Sequence, residues 1–577
     1  MAFGHKRRSC LYLMHSLGPT TAIALASLAG LVQAAVVCRA TVPALDAVWF
    51  ARLARQIDLH GVGTVAAGSR EQPLFPVWVW LVHKAVEAVA GSLEASWAMS
   101  VQLAAAFPTA LAVVPVYFIS IRLVGKGAAA VGAVIFSVLP GICRLGADGI
   151  SDSTHLLWFG LAAWAVVEYL ARVDSPPTKR QRLACFALMF LGGFASATAY
   201  LVRLEAMVLP AALVVTLGAL VSREPPRLPW WRLTADLGCF ALGLGIVCAL
   251  SRILAGTGDD GRDSVVCAQL PASEAGVTAP WSLADGSPMA FDSKEPTVSI
   301  RRRGYGPAAV QFLEELGDLF GVWVGLPALF GIWRLRRRPP SAVDRFFHAL
   351  LVLFTIAVLH HTATEGYLSA RHLAMWAIPG VACAGYGVLE FGRLLTDLVG
   401  KFRAEHFGAY GVSAAVLAAI VAACGLQLAK PLHGSHLGHR LAAKWLANPS
   451  ASAGAVFDTH GWTGLYSGRF TYPPDQLQRA LCDPKLNYLV VEREELNFES
   501  PRSRTLQWLI ATAAEPAATF PDQPGRVQAV TIYRWNADRF RAHASSPAAG
   551  HGDRHTSSPA AGSSRAAWRA EPRERRR

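Results

Sequence analysis

Charge is scarce in this sequence. Only 16% of its 577 residues are Asp, Glu, Lys or Arg, against 53% hydrophobic. A soluble chain of this length carries roughly 25% charged residues, so the composition points to a polytopic membrane protein. Organised cysteine chemistry is missing as well. Ten cysteines are present, but there is no CxxC pair and no Cys/His spacing of the zinc type. Cys185, Cys239, Cys248, Cys383 and Cys424 fall inside apolar runs, where they read as buried thiols with no disulfide framework. There is no internal helical repeat, and charges near the middle of a span are few. Both absences argue against a transporter. The formal charge is +14, but its Lys and Arg fall in clusters between apolar runs and in the tail, so no nucleic-acid partner is expected.

What is present is a series of apolar runs. Eleven are long enough to span a bilayer, at 17–38, 97–121, 127–143, 154–171, 183–201, 205–221, 233–254, 313–333, 346–360, 373–391 and 409–428. Alternate connections are basic: Lys6, Arg7 and Arg8; Arg122 and Lys126; Arg172, Lys179, Arg180 and Arg182; Arg223, Arg227 and Arg232; Arg334, Arg336, Arg337, Arg338 and Arg345; Arg393, Lys401 and Arg403. The short connections between them hold one arginine each: Arg144, Arg203 and Arg371. The positive-inside rule therefore puts the N-terminus (1–16) in the cytoplasm and the C-terminal region outside, in a multi-pass protein of the cytoplasmic membrane. "MAFGHKRRSC" with the run after it also has the form of a secretory signal. A retained helix is expected, because the run approaches spanning length.

The expected organisation is a transmembrane domain over 17–428 with external loops at 39–96 and 255–312. An external α/β unit follows at 430–540, and a disordered basic tail at 541–577 that repeats "SSPAAG". In the first loop, "LDAVWFARLARQI" places Leu45, Trp49, Phe50, Leu53 and Ile57 on one helical face, with Arg52, Arg55 and Gln56 on the other. That pattern suits a helix lying on a surface. "EQPLFPVWVWLVHKAVEAV" reads as a second interfacial helix. In the C-terminal unit "AGAVFDT", "NYLVVERE" and "VQAVTIYRW" read as strands and "PDQLQRAL" as a helix. "DTHGWTGLYSGRFTY" offers groups suited to sugars, although a packed core turn is the commoner use of such a stretch.

With this orientation the unusual polar residues gather on one side. They are Asp46; Arg70 and Glu71; Arg144, Asp148, Asp152 and His155; Arg203 and Glu205; and His360, His361, Glu365, Tyr367, Arg371 and His372. Ionisable groups at helix ends facing one compartment mark a site at that interface. Most have a plainer use too: Asp46 as a helix cap, Asp148 and Asp152 as loop residues, Arg203 with Glu205 as a structural pair, and His360 and His361 as interfacial polar groups. Arg371 is harder to explain that way. A guanidinium entering an apolar helix is costly unless it meets an anion, and a lipid phosphate is the natural one at a membrane surface.

The stretches "LDAVWFARLARQI", "EQPLFPVWVWLVH", "GADGISDSTHLLWFGLAAW", "AYLVRLEAMVLP" and "GYLSARHLAMWAIP" together resemble the GT-C class of integral-membrane glycosyltransferases. Within it they resemble the group of protein O-mannosyltransferases and the lipid A aminoarabinose transferase. The likeness spans about residues 20–400 in organisation. It implies a polytopic α-helical fold, a first external loop of juxtamembrane helices, a lipid-linked sugar donor, and an acidic first-loop residue as base, which Asp46 matches. Gln72-Pro73 stands where the family commonly has a Pro-Pro pair. Arg203 fits a basic position, and Asp148 and Asp152 both fit a second acidic one.

The expectation is a glycosyltransferase that moves a sugar from a polyprenyl-phosphate donor to a hydroxyl of a lipid, glycan or protein acceptor, by inverting single displacement. Asp46 is the expected general base, with Asp148 or Asp152 as a second catalytic carboxylate. Arg371, Arg203, His372 and His361 are expected at the departing phosphate, and Arg70, Glu71, His155, Glu205 and Tyr367 around the substrates. No cofactor is expected, since relatives with monophosphate donors generally use no metal; Asp46, Asp148, Asp152 and His155 would be the ligands of a divalent ion. A flippase of lipid-linked sugar and an envelope scaffold are the alternative expectations.

Overall fold

The computed structural model describes residues 3–68, 73–91, 96–173, 178–222, 230–255, 304–400, 409–498, 500–521 and 527–545. Arg70 and Glu71 lie outside the described residues, as do most of the expected 255–312 loop and of the 541–577 tail.

The first helix, α1 (Phe3–Arg39), is followed by α2 (Leu45–His60), α3 (Val62–Gly68) and α4 (Leu74–Ala90). Next come α5 (Ser96–Val124), α6 (Lys126–Val138), α7 (Pro140–Ala147), α8 (Asp152–Val173) and α9 (Lys179–Tyr200). Then follow α10 (Val208–Val221), α11 (Trp230–Ala255), α12 (Tyr305–Leu335), α13 (Ala342–Glu365), α14 (Ala377–Gly400) and α15 (Ala409–Leu428). Among the described residues ten helices are long and apolar enough to cross a membrane, or eleven when the pair α6–α7, bent by 50°, counts as one. Each expected run has its counterpart, and the chain is a multi-pass membrane protein. The bend has a local cause. Leu139 is extended (φ −65°, ψ 115°) and Pro140 opens α7, since the residue before a proline avoids the helical region and proline suits a first helical turn.

Small residues set the tightest crossings. A Cβ on Gly385 of α14 would lie 2.2 Å from the Ala128 carbonyl oxygen and 2.5 Å from the Gly132 nitrogen of α6. On α12, the Pro327 oxygen would lie 2.0 Å from a Cβ on Gly387. In lipid, where apolar side chains gain little by leaving their neighbours, such close backbone approach is a main source of helix association. At the basic ends of the helices, Glu168 takes Arg122 and Arg172 at 2.8 and 3.0 Å, and Glu390 takes Arg334 and Arg393 at 2.8 and 2.5 Å.

The first loop packs differently from its hydrophobic pattern. The face of α2 that meets α4 and α5 is Ala47, Ala51 and Ala54, set against Phe75, Val79, Val101, Ala104 and Ala105. Leu53 and Ile57 turn to Val65 of α3, whereas Leu45 and Trp49 are 51% and 39% exposed. The expected single stripe is thus divided, because counting large apolar residues passes over alanines, which allow the closest approach. α4 is amphipathic and falls outside the candidate spans, consistent with an interfacial helix.

Beyond α15, the helix α16 (Leu437–Leu446) leads into β1 (Ala455–Asp458), α17 (Trp462–Ser467), β2 (Thr471–Tyr472), α18 (Leu477–Cys482), β3 (Leu486–Glu492), α19 (Pro501–Ala513), β4 (Ala514–Phe520) and β5 (Val530–Trp535). The strands form one sheet in the order β2-β1-β3-β5-β4, parallel on the β1 side and antiparallel on the β5 side. Central β3 alternates its faces: Leu489 and Val491 join Leu506 and Leu509, while Tyr488 and Val490 join Ala442 and Leu446. Strand β4, "AEPAATF", was not expected. It is a largely exposed edge strand, so it lacks an apolar signature and tolerates Pro516.

The α14 crossing gives a stability test. Gly385→Leu should cost roughly 1–3 kcal/mol by overpacking. Gly218→Ala, whose Cβ would meet nothing within 4 Å, should cost nothing. Thermal unfolding in detergent compares them.

Candidate active site

The sequence ends its helices abruptly on one side, and these breaks carry the polar residues. Before α8, Gly149 takes a left-handed φ of 71°, and a Cβ there would meet that of Ala47 at 3.1 Å. The Ala44 N–H donates to the Asp148 carbonyl at 3.0 Å. The start of α2 therefore docks on the turn just before Asp152. Between α9 and α10, Arg203 is extended (φ −155°) and opens a 3-10 turn, Leu204–Met207. Between α13 and α14, Gly366 closes α13 in the left-handed region, and the extended Ser369 opens a second 3-10 turn, Ala370–Trp376. Each arginine thus sits at the mouth of an apolar helix.

Two ion-paired groups result. Arg371 Nη1 donates to Asp46 Oδ2 at 2.5 Å. Arg203 Nη1 donates to Asp152 Oδ1 at 2.5 Å and its Nη2 to Glu205 Oε1 at 2.7 Å. Burial opposes the charge on Arg203, but Asp152, Glu205 and, at longer range, Asp46 outweigh it and raise its pKa. Three carboxylates therefore face two guanidiniums. The groups differ in access. The Arg203 and Asp152 side chains are 18% and 6% exposed, those of Arg371 and Asp46 30% and 49%. One pair is closed and the other open.

Asp46 is not a helix cap. Ala44 holds the N-cap position and no side chain caps α2; Asp46 lies in the first turn, where a carboxylate also suits the helix dipole. Arg371 keeps a buried Nε without a partner among the described residues. His372 Nδ1 accepts from the Ser369 N–H at 3.2 Å, which leaves its Nε2 to carry the proton. The His361 and Tyr367 rings stand 5.9 and 5.7 Å from the His372 ring.

Asp148 and Asp152 part company. Asp152 joins Arg203, whereas Asp148 Oδ1 meets His433 Nε2 at 2.8 Å, at the connection to the C-terminal unit. His155 is buried, with its Nδ1–H donating to the Ala199 carbonyl at 3.2 Å, so it ties α8 to α9. The four residues named as ligands of a divalent ion thus each turn to a different partner.

Two features were missed by sequence reasoning. Trp462 is buried and donates from Nε1 to the Pro43 carbonyl at 3.0 Å, packing with Val42 and Val48. The core-turn use of "DTHGWTGLY" holds, but the core is shared with the first loop. The second is a group of histidines around Glu492, in which burial lowers the pKa of His460. Contacts with His436 and His439 overcome burial to hold Glu492 far below the usual carboxylate range. The spacing of "HGSHLGHR" was its available signal.

The closed and open pairs should respond differently to charge removal. Asp152→Asn should cost roughly 2–3 kcal/mol, because it leaves a buried guanidinium short of an anion. Asp46→Asn should cost less than about 1 kcal/mol, as for an exposed pair. Thermal unfolding of both variants checks the division, and equal losses would contradict it.

No protein-family model and no curated protein matches the sequence. Solved structures do. ArnT from Cupriavidus metallidurans bound to undecaprenyl phosphate aligns at a TM-score of 0.52 and 13% identity, covering 88% of this chain and 97% of that one. The apo state of the same ArnT aligns at 0.50 and 13%, covering 91% and 98%. The archaeal oligosaccharyltransferase AglB from Archaeoglobus fulgidus, in complex with an inhibitory peptide and a dolichol-phosphate, aligns at 0.47 and 13%, covering 82% and 70%. The chain has the polytopic GT-C fold of ArnT, with a first loop of helices outside the spans and a small C-terminal sheet.

Proposed function

We propose that the protein transfers a sugar from a polyprenyl-phosphate donor to an acceptor hydroxyl at the extracytoplasmic face of the cytoplasmic membrane. The open Asp46–Arg371 pair carries this reading. It joins a carboxylate to a guanidinium with a spare donor, at the mouth of an apolar helix. The fold is shared with ArnT, whose crystal structure binds undecaprenyl phosphate. Without substrate the two groups satisfy each other. A donor phosphate competes for Arg371 and releases Asp46.

Asp46 then takes the proton of the acceptor hydroxyl. The acceptor oxygen bonds to the anomeric carbon as the bond from that carbon to the phosphate oxygen breaks, and the electron pair leaves with the phosphate. One displacement inverts the anomeric centre. Arg371 presents its fork to the phosphate oxygens as charge grows there. The Nε2–H of His372 adds a donor, and Arg203, held by two carboxylates, contributes at longer range. Asp152 and Glu205 position Arg203. His361 and Tyr367 line the approach, while Arg70 and Glu71 are assigned to the substrates from their place in the sequence alone. Exposed Leu45 and Trp49 rest in the headgroup layer, which favours an indole. No step calls for a metal at this site.

Purified protein incubated with polyprenyl-phosphate sugars and envelope fractions should yield an acceptor that gains a sugar mass by mass spectrometry. Asp46→Asn should lower turnover by about 10²–10⁴-fold with donor binding retained; near-normal turnover would eliminate Asp46 as base. Arg371→Lys should lower it roughly tenfold or more despite the unchanged charge, since the bidentate fork is lost. Donor redistribution across vesicles with no covalent product would point to a flippase instead.

A further inference from the structure

Where the C-terminal unit meets the first loop, two imidazoles aim at one carboxylate oxygen. His436 Nδ1 lies 3.0 Å and His439 Nε2 2.8 Å from Glu492 Oε1. The three candidate ligand atoms fall within 4.8 Å of one another, the one such group among the described residues. Its supports are rigid. His436 ends the 3-10 turn Gly434–His436, His439 lies in the first turn of α16, and Glu492 ends β3. The His439 side chain is fully buried and that of Glu492 5% exposed, whereas that of His436 is 22% exposed and gives solvent access.

Hydrogen bonding alone is a poor account of this group. One carboxylate is crowded by three histidines, since His460 Nε2 also stands 3.9 Å from Glu492 Oε2. The buried Nδ1 of His439 has no hydrogen-bond partner among the described residues. An apolar wall closes the group: the Trp462 ring lies 4.7 Å from that of His436 and 4.9 Å from that of His439, and stacks on His460 at 5.2 Å with a 4° interplanar angle. Tetrahedral zinc, with bonds of about 2.0–2.1 Å, needs ligand atoms about 3.3 Å apart. Each imidazole nitrogen is within a few tenths of an ångström of that spacing from Glu492 Oε1, while the two nitrogens, within 4.8 Å of each other, close by up to about 1.5 Å as the rings turn toward the ion.

We propose that His436, His439 and Glu492 bind a divalent transition-metal ion of the zinc class, with His460 as the adjacent imidazole. The donor set selects the ion. Two imidazoles and one carboxylate suit zinc, while calcium and magnesium take oxygen ligands and copper(I) favours sulfur. On binding, the ring protons that face Glu492 leave or move to the opposite nitrogens. The ion is structural. It fixes the wall around Trp462, whose Nε1 donates to Pro43 just ahead of Asp46, and its presence does not depend on the transfer reaction.

Full-length protein, purified through a tag without histidine, equilibrated with micromolar Zn²⁺ and desalted, should retain about one zinc per chain by elemental mass spectrometry. His436→Asn combined with Glu492→Gln should weaken zinc binding by roughly 100-fold or more. His348→Asn, which changes a remote exposed histidine, should leave it unaltered. X-ray absorption on the zinc-loaded wild type should show imidazole nitrogens and a carboxylate oxygen at about 2.0 Å, a readout independent of how the variants fold. The proposal is overturned if the wild type retains no zinc, if the double variant retains as much, or if the absorption spectrum lacks imidazole scattering.

Discussion

An arginine at the mouth of an apolar helix has to find an anion, and Arg371 finds Asp46 from 325 positions away in sequence. The site depends on that requirement. Bilayer spans exclude charge from their middles, so ionisable residues collect at helix ends, and alternation of direction sorts those ends into two sets. Arg122, Arg172, Arg334 and Arg393 share Glu168 and Glu390 at one set of ends. At the other, Arg203 and Arg371 meet Asp152, Glu205 and Asp46. The first set is structural insulation. In the second, the exposed pair can be separated by a ligand at modest cost, since ion pairs in contact with water contribute little.

The same backbone device delivers both arginines. A long apolar helix stops, an extended residue reverses the chain, and a 3-10 turn leads into the next span. The extended residue is Arg203 itself in one case and Ser369 in the other, and this offset separates their roles. Arg203 is enclosed by two carboxylates. Arg371, two residues into its turn, reaches out to the first loop and keeps one donor without a partner among the described residues.

Hydropathy made the spans legible, because lipid leaves a helix no other way to satisfy its backbone. Short-loop charge grouped the helix ends by expected side, and the structure pairs Asp46 with Arg371 and Asp152 with Arg203 within one such group. Partner choice was not legible. Asp148 and Asp152 are four residues apart and chemically identical, and only the turn at Gly149 sends one to His433 and the other to Arg203. The alanine face of α2 was invisible to a count of large side chains. The histidines of "HGSHLGHR" have visible spacing, but Glu492 arrives on a strand over fifty residues later, and only the sheet brings it in.

The placement of Asp46 draws on three parts of the chain. Helix α2 lies outside the spans and buries mainly small residues toward α5, so its own packing holds it weakly against sliding. Arg371 holds its carboxylate, the Asp148 carbonyl holds the Ala44 N–H, and Trp462 holds Pro43. A base must stand within a fraction of an ångström of its working position. Two of these restraints come from the membrane domain and the third from the C-terminal unit. That unit, folded around its own sheet, is therefore part of the mount of the candidate base. Loosening its histidine-lined junction would blur the position of Asp46 without touching any group that meets a substrate.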